Sequence, residues 1–312
     1  MDATIDIDET VLPQESQYRP SKRGILNLNI GLVIALGLIG GTVGYLGNVI
    51  PGARRYTDWS LWGLLLIYFA YILYRARKAR AWVTANYEAA SLLKSGEIAT
   101  AANIYEELCH KASHSLFKHL HATFVYNRAL AYMLGGDIDR AISLITAVLK
   151  SRWFESQRYG LIHYFPEVLE SLARCYAIKG SMDKAEVIQS KAHDLIAPPR
   201  EGRLLLLDMI IACRRNRFDA AVHDADARWI SAEGSLTPAD MKSVRMLRAF
   251  AIHMKNGTAI DVEIKAALEG IRPFRPGQFD YLSCEWRELN DFLRTWGLTA
   301  ENSSTPNEPM RA

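Results

Sequence analysis

The distribution of hydrophobic and charged positions separates the first quarter of the chain from the rest. Residues 24–50 carry no charge and are mainly apolar. As a helix, this run is long enough to cross a hydrocarbon core of about 30 Å. A second run without charge, residues 59–74, has 16 residues and covers about 24 Å of helix. The pattern predicts a two-helix transmembrane hairpin over residues 24–76, with the second span at about 58–76.

The alternatives for these runs are a cleaved signal peptide and a buried core helix. The first run is overlong for a signal peptide and follows an acidic, polar segment, residues 1–23. The second run lacks the polar face of a core helix. Lys and Arg number three in residues 19–23, two in 54–55 and four in 75–80. This bias predicts an integral, two-span protein with both termini cytoplasmic, in a bacterial inner membrane.

The predicted first span contains two small-xxx-small spacings, which let another helix approach closely. They are formed by Gly37 with Gly41 and by Gly40 with Gly44. The simplest partner is the second span. A homo-oligomer or a contact with another membrane protein is the alternative.

From residue 81 onward, apolar residues recur at helical spacing around three loop glycines, Gly96, Gly136 and Gly180. Alanine stands seven residues before and five residues after each glycine, so two antiparallel helices can pack closely. The glycine itself ends the first helix at positive φ. Each copy therefore predicts a helix, a tight turn and a second helix. The alanines are Ala89, Ala129 and Ala173 before the glycines, and Ala101, Ala141 and Ala185 after them.

The turn Gly136-Asp137-Ile138-Asp139-Arg140-Ala141 resembles that of the tetratricopeptide repeat family. Residues 180–185 are similar, and residues 216–221 resemble a fourth turn with Asn216 in the glycine position. The resemblance implies a repeat domain over residues 81–297, more degenerate after residue 195, with a capping helix at 279–296. A composition rich in Ser, Thr, Asn and Pro predicts a disordered tail at 298–312. The predicted fold class is all-α: a two-helix transmembrane hairpin followed by a tetratricopeptide-like α-solenoid.

The same resemblance implies where a partner binds. Repeats of this family bind proteins on a face lined by the first helix of each unit. The paired Lys/Arg clamp of the chaperone-binding subtype is missing, so the resemblance implies a protein partner of unknown identity. The implied groove residues are Asn86, Tyr87, Tyr126, Asn127, Ser171 and Arg174.

Residues 151–166 lengthen one repeat and concentrate aromatic side chains. Two interpretations stay open at this point: a binding pocket at a repeat junction, or core formed by lengthened helices. The aromatic residues are Trp153, Phe154, Tyr159, Tyr164 and Phe165.

Catalytic and metal-binding patterns give little support for an enzyme. GxxxxGK[ST], GxGxxG, HExxH and GxSxG are absent from the sequence. On one continuous helix His110, His114 and His121, near Cys109 and His119, would share a face that suits a transition metal. The repeat frame places a turn between them, so they should diverge. We therefore expect no enzyme, no catalytic residue, no cofactor and no metal.

The net charge of the chain is confined to its first quarter. The sequence has 37 Lys and Arg against 34 Asp and Glu, and nine and six of these lie in residues 1–80. Residues 81–312 are thus neutral overall, with no general attraction to nucleic acid. With only four cysteines, a disulfide framework is excluded.

These observations predict a membrane-anchored scaffold or adaptor that binds a protein partner at the cytoplasmic face, for assembly of a membrane or envelope complex. The lipid bilayer is a second expected partner. The alternative is an accessory subunit of a transport or secretion complex that acts through the hairpin.

Overall fold

The described part of the chain is all-helical. A computed structural model describes residues 37–38, 40–42, 44–45, 49–50, 54–113, 115, 117–151, 153–155, 161–196, 200–256 and 261–300, and no strand occurs among them. The α-helices are α1 (Arg54–Ser95), α2 (Ile98–Ser113), α3 (Lys118–Leu134), α4 (Ile138–Lys150), α5 (Phe165–Ile178), α6 (Met182–Leu195), α7 (Leu205–Arg214), α8 (Phe218–Ala227), α9 (Trp229–Glu233), α10 (Pro238–Asn256), α11 (Asp261–Glu269), α12 (Asp280–Ser283) and α13 (Arg287–Thr295). Two 3-10 helices cover Leu161–Tyr164 and Arg200–Leu204.

The predicted transmembrane hairpin is wrong for the described residues. Within them, no helix combines the length and the apolar character that crossing a bilayer requires. The second predicted span, residues 58–76, is part of the 42-residue helix α1, which continues through a basic stretch into the first repeat. Its uncharged run of 16 residues is shorter than the ~20 that a span needs. The same finding corrects the prediction of an integral, two-span protein in an inner membrane.

The first predicted span, residues 24–50, lies largely outside the described residues. Gly37, Gly40, Gly41 and Gly44 are described and helical. A Cβ added at Gly37, Gly41 or Gly44 would meet nothing within 4 Å. The predicted close packing of the second span against these glycines is therefore not observed.

The three predicted repeat turns are confirmed in detail. Gly96, Gly136 and Gly180 have φ values of 84°, 83° and 81°. In the first turn the N–H of Gly96 donates to the carbonyl of Leu93, and the N–H of Glu97 donates to that of Leu92. This pair of bonds is a Schellman motif, and it recurs at the other two glycines.

Close packing of the helix pairs rests on the alanines beside these turns. All six alanines that the repeat frame singled out have no exposed surface. A larger side chain at any of them would hold the paired helices apart, because protein cores leave no spare volume. The helix-turn-helix prediction thus holds for α1–α2, α3–α4 and α5–α6.

The fourth turn also has the predicted geometry. Asn216 adopts φ 57°, and the N–H groups of Asn216 and Arg217 donate to the carbonyls of Cys213 and Ala212. Ala221, in the small position of α8, is fully buried. After it, α10 ends at Asn256, and residues 257–260 lie outside the described part.

The capping helix predicted for residues 279–296 is interrupted. Trp286 has an extended backbone (φ −137°, ψ 92°) between α12 and α13. Its ring packs edge-on against Phe250, with 5.3 Å between the ring centroids. Leu298 is 2% exposed, so the packed region continues past residue 297; residues 301–312 are outside the described part.

The aromatic cluster at residues 151–166 belongs to the core where it is described. Trp153 and Phe154 are each 2% exposed, and the Phe154 ring lies edge-on to Tyr126 with 5.7 Å between centroids. Tyr164 is largely exposed, and Tyr159 lies outside the described residues. Of the two interpretations, core is thus the one observed, but because α4 ends at Lys150, the connection between repeats supplies it and not lengthened helices.

The left-handed conformation at the fourth turn gives a test of the repeat frame. Asn216→Ala should destabilise the chain by about 1 kcal/mol, because an L-residue with a Cβ is strained at positive φ. Asn216→Gly should leave stability unchanged or raise it. Urea unfolding of both variants measures their free energy of unfolding. If both lose the same amount of stability, the left-handed conformation is not the cause of the loss.

Candidate functional site

A cavity of about 950 Å³ lies between the first helices of the repeats and the C-terminal segment. Its walls come from the end of α1, from α3, from α5, from the start of α10 and from residues 275–284. Leu93, Leu130, Met133 and Leu236 give it apolar surface, while charged residues cluster at the side formed by α5 and α10. A cavity of this size with a few convergent polar groups is typical of a ligand or peptide site.

Four of the six predicted groove residues line this cavity: Tyr126, Asn127, Ser171 and Arg174. The other two do not. Asn86 lies behind the wall, where its Oδ1 accepts from Nδ2 of Asn127 at 2.8 Å. Tyr87 is 70% exposed and is not part of the cavity.

Tyr126 and Ser171 connect α3 to α5 at the base of the cavity. The Tyr126 hydroxyl lies 2.9 Å from Oγ of Ser171 and donates to the carbonyl of Glu167 at 3.3 Å. Burial raises the pKa of Tyr126 well above its usual range. The phenol therefore stays neutral and acts as a hydrogen-bonding group in this wall.

Arg174 is the central charged group. Its Nε donates to Oε1 of Glu170 at 2.9 Å, and its Nη1 donates to Oδ1 of Asp240 at 3.2 Å. Arg174 and Glu170 are each only 8% exposed. The guanidinium thus joins a carboxylate of its own helix to one at the start of α10.

Asp240 is held in place by the N-terminus of α10. The Thr237 hydroxyl, just before the helix, accepts from the N–H of Asp240 at 3.1 Å and donates to Oδ2 of Asp240 at 2.6 Å. Pro238 occupies the first helical position, where no N–H is required. This capping arrangement points the other carboxylate oxygen at Arg174.

Burial and charge act in opposite directions on this cluster. Burial raises the pKa of Glu170, and Arg174 only partly offsets the effect. Burial also disfavours the charge on Arg174, but Glu170 and Asp240 outweigh it and raise the pKa of the guanidinium. Arg174 is accordingly charged at every physiological pH.

A second ion pair lies at the edge of the cavity, between Arg203 and Glu167. Nη2 of Arg203 contacts Oε1 of Glu167, and both side chains are partly exposed. Burial raises the pKa of Glu167, and Arg203 opposes this rise. The pair joins the 3-10 helix before α7 to the first turn of α5.

The C-terminal segment approaches the repeat turns one after another. Nη2 of Arg275 donates to the carbonyl of Lys94 at 3.0 Å, beside the turn of Gly96. A Cβ at Gly136 would lie 4.0 Å from Cβ of Cys284. At the third turn, Nη2 of Arg214 donates to the carbonyl of Glu285 at 2.9 Å and also contacts that of Ile178.

Sequence reasoning missed Glu170, Asp240 and Arg275. The i,i+4 spacing of Glu170 and Arg174 was a readable local signal. Asp240 contacts Arg174 from 66 residues further along the chain, and Arg275 contacts Lys94 from 181 residues further along. No local sequence pattern marks contacts over such separations.

The histidine cluster is divided between two helices. His110 lies in α2 and His121 in α3, while His114 is outside the described residues. Burial raises the pKa of the Cys109 thiol to about 12, which disfavours the thiolate that binds metals. Across the described part, no three His, Cys, Asp or Glu side chains come together in a way that could hold a metal ion.

Comparison with known proteins yields one partial similarity. No protein-family model matches the chain, and no solved structure matches it significantly. A stretch of 69 residues is 35% identical to tRNA U34 carboxymethyltransferase from Pseudomonas aeruginosa strains LESB58 and UCBPP-PA14, and to that of Pseudomonas paraeruginosa. The match covers 21% of this chain and 21% of each relative.

This similarity corrects the expectation that the chain is not an enzyme. The matched proteins are named as enzymes, whereas we had inferred a noncatalytic protein from missing motifs. Missing motifs were a weak basis, because short patterns identify only the families that use them. The chain spans about a fifth of the length of these relatives.

The buried charge cluster makes a prediction about stability and pH. Arg174→Met should cost about 3 kcal/mol at neutral pH, because it leaves the buried carboxylate of Glu170 without its cation. The pKa of Glu170 then rises further, so the folded state binds more protons than the unfolded state and stability falls as pH rises. The deficit should be smaller near pH 4 than at pH 7.5 in urea unfolding.

The double variant Arg174→Met with Glu170→Gln is the control. Its deficit should be smaller than that of the single variant at pH 7.5 and nearly independent of pH. An equal deficit of the single variant at both pH values would contradict the role assigned to Glu170.

Proposed function

We propose that the chain is a helical-repeat adaptor that binds a segment of a partner protein in the cavity between its repeats and its C-terminal segment. The observation that carries this proposal is the cavity itself, about 950 Å³ in volume and lined by first helices of successive repeats. The tetratricopeptide-like repeat frame supports it, because such repeats bind proteins on this side.

The lining suits a polypeptide. Leu93, Leu130 and Met133 offer apolar contact to side chains, and Asn127 offers an amide that can bond to a peptide backbone. The ion pairs of Arg174 and Arg203 are already formed within the chain, so the walls are preorganised. Preorganised walls lower the entropic cost of binding a segment.

A bulky side chain placed in the cavity tests the proposal. Ala239 is exposed, lines the cavity and lies in the first turn of α10, so Ala239→Trp should fill the cavity and reduce partner binding at least tenfold. Co-purification with the full chain, quantified by mass spectrometry, measures the loss.

Ala220→Trp is the matched control, because Ala220 is an exposed alanine in the first turn of α8 and does not line the cavity. Partners of the cavity should be lost with Ala239→Trp and retained with Ala220→Trp. Retention of every specific partner by both variants would rule out the cavity as the binding site.

A second function, action on tRNA, is supported by the 69-residue similarity to tRNA U34 carboxymethyltransferases. If it is correct, the full chain binds tRNA with a Kd of about 1 µM or less at 50 mM salt, and the affinity falls steeply at 200 mM salt. Filter binding with tRNA, and with double-stranded DNA as control, measures this. Equal affinity for both would indicate only general electrostatic attraction, and absence of binding would remove this function.

A further inference from the structure

The entrance of the cavity is partly covered by a short loop, residues 272–278, which we call the Arg275 loop. It runs between Ile271 and Phe279, both of which have no exposed surface. Arg275, Pro276, Gly277 and Gln278 form one wall of the cavity. The loop is therefore anchored at both ends, and Phe274 within it packs against the core, while Arg275 and Pro276 are exposed.

The loop is tied to the first repeat by the guanidinium of Arg275. Nη2 donates to the carbonyl of Lys94, in the last turn of α1. The Schellman bonds of this turn use the carbonyls of Leu92 and Leu93, which leaves that of Lys94 to accept from outside the helix. The C-terminus of a helix also attracts a cation through the helix dipole.

The third repeat uses the same kind of contact. Ile178 stands two residues before Gly180, as Lys94 stands two residues before Gly96, and its carbonyl accepts from Nη2 of Arg214. In both the first and the third repeat, a guanidinium thus donates to a carbonyl at the end of the first helix.

The formal charge of the cavity lining as a whole favours a cation in the place of Arg275. The cavity is otherwise lined by five acidic and three basic residues, a difference of two negative charges. Arg174 and Arg203 are already engaged by carboxylates of the cavity. The acidic residues are Glu97, Glu167, Glu170, Asp240 and Asp280, and the basic residues are Lys94, Arg174 and Arg203.

We propose that Arg275 occupies the place of a basic side chain of the partner, and that an extended, arginine-containing segment binds by displacing the Arg275 loop from the turn at Gly96. The inference rests on the proposed adaptor function and names the chemistry of its partner. Ile271, Phe274 and Phe279 stay packed in the core while Arg275 and Pro276 move away from α1.

The test uses the full chain and a fluorescein-labelled peptide with the sequence of residues 272–279. Arg275→Ala should raise the affinity for this peptide at least tenfold over the unmodified chain, because the competing guanidinium is gone. Arg272→Ala is the matched control, since Arg272 is exposed in the same loop and does not line the cavity. A second peptide, with alanine in place of the arginine that corresponds to Arg275, should bind at least tenfold more weakly.

Glycine substitutions release the loop without altering Arg275. A Cβ at Gly96 would lie 1.3 Å from Nη1 of Arg275, so Gly96→Ala must push the guanidinium away. Gly136→Ala carries the same backbone strain, because φ is 83° at Gly136 and 84° at Gly96. The nearest atom to a Cβ at Gly136, however, is Cβ of Cys284 at 4.0 Å. Hydrogen exchange of residues 272–278 should rise in Gly96→Ala and stay unchanged in Gly136→Ala.

The outcomes separate this inference from the proposed function. If the peptide binds the unmodified chain and Arg275→Ala equally, or binds neither, the role assigned to Arg275 is wrong. Should Ala239→Trp still remove partners from the cavity in that case, the adaptor function stands without it. If Ala239→Trp also leaves partner binding unchanged, both proposals are wrong.

Discussion

A left-handed residue at the end of each first helix is the constraint on which the repeat array depends. At Gly96, Gly136, Gly180 and Asn216 two backbone hydrogen bonds close the helix and turn the chain back on itself. Because the reversal takes so few residues, the second helix starts beside the first and must pack against it closely. Alanine at the facing positions permits this approach. The turn and the small residues therefore depend on each other.

The cavity follows from the stacking of these pairs. The first helices of neighbouring repeats lie side by side, and Tyr126 and Ser171 join two of them through a hydrogen bond. Arg174 then connects α5 to α10 through Asp240. A buried ion pair adds little net stability, because each charge loses its hydration. Its effect here is on geometry, because directional bonds to Glu170 and Asp240 join α5 to α10 at the cavity wall.

Local patterns in the sequence were sufficient for the turns and insufficient for the site. At Gly136 and Asn216 the residue type and the neighbouring residues indicate a left-handed turn, so these turns could be predicted. The repeat frame correctly placed Asn86 and Tyr87 in the first helix of a repeat, but neither side chain lines the cavity. The second span of the hairpin was inferred from an uncharged run, although the helix that contains this run continues to Ser95 with charged residues. Asp240 and Arg275 depend on tertiary contacts that no local window contains.

The bond between Arg275 and Lys94 changes how the array should respond to stress. In an open solenoid each unit contacts only its neighbours, so the ends fray first and unfolding spreads inward. Here the Arg275 loop contacts the first turn across 181 residues of chain. Detachment of that loop would leave the first turn without this contact. The first repeat and the loop before α12 should therefore fray together, although they are far apart in the sequence.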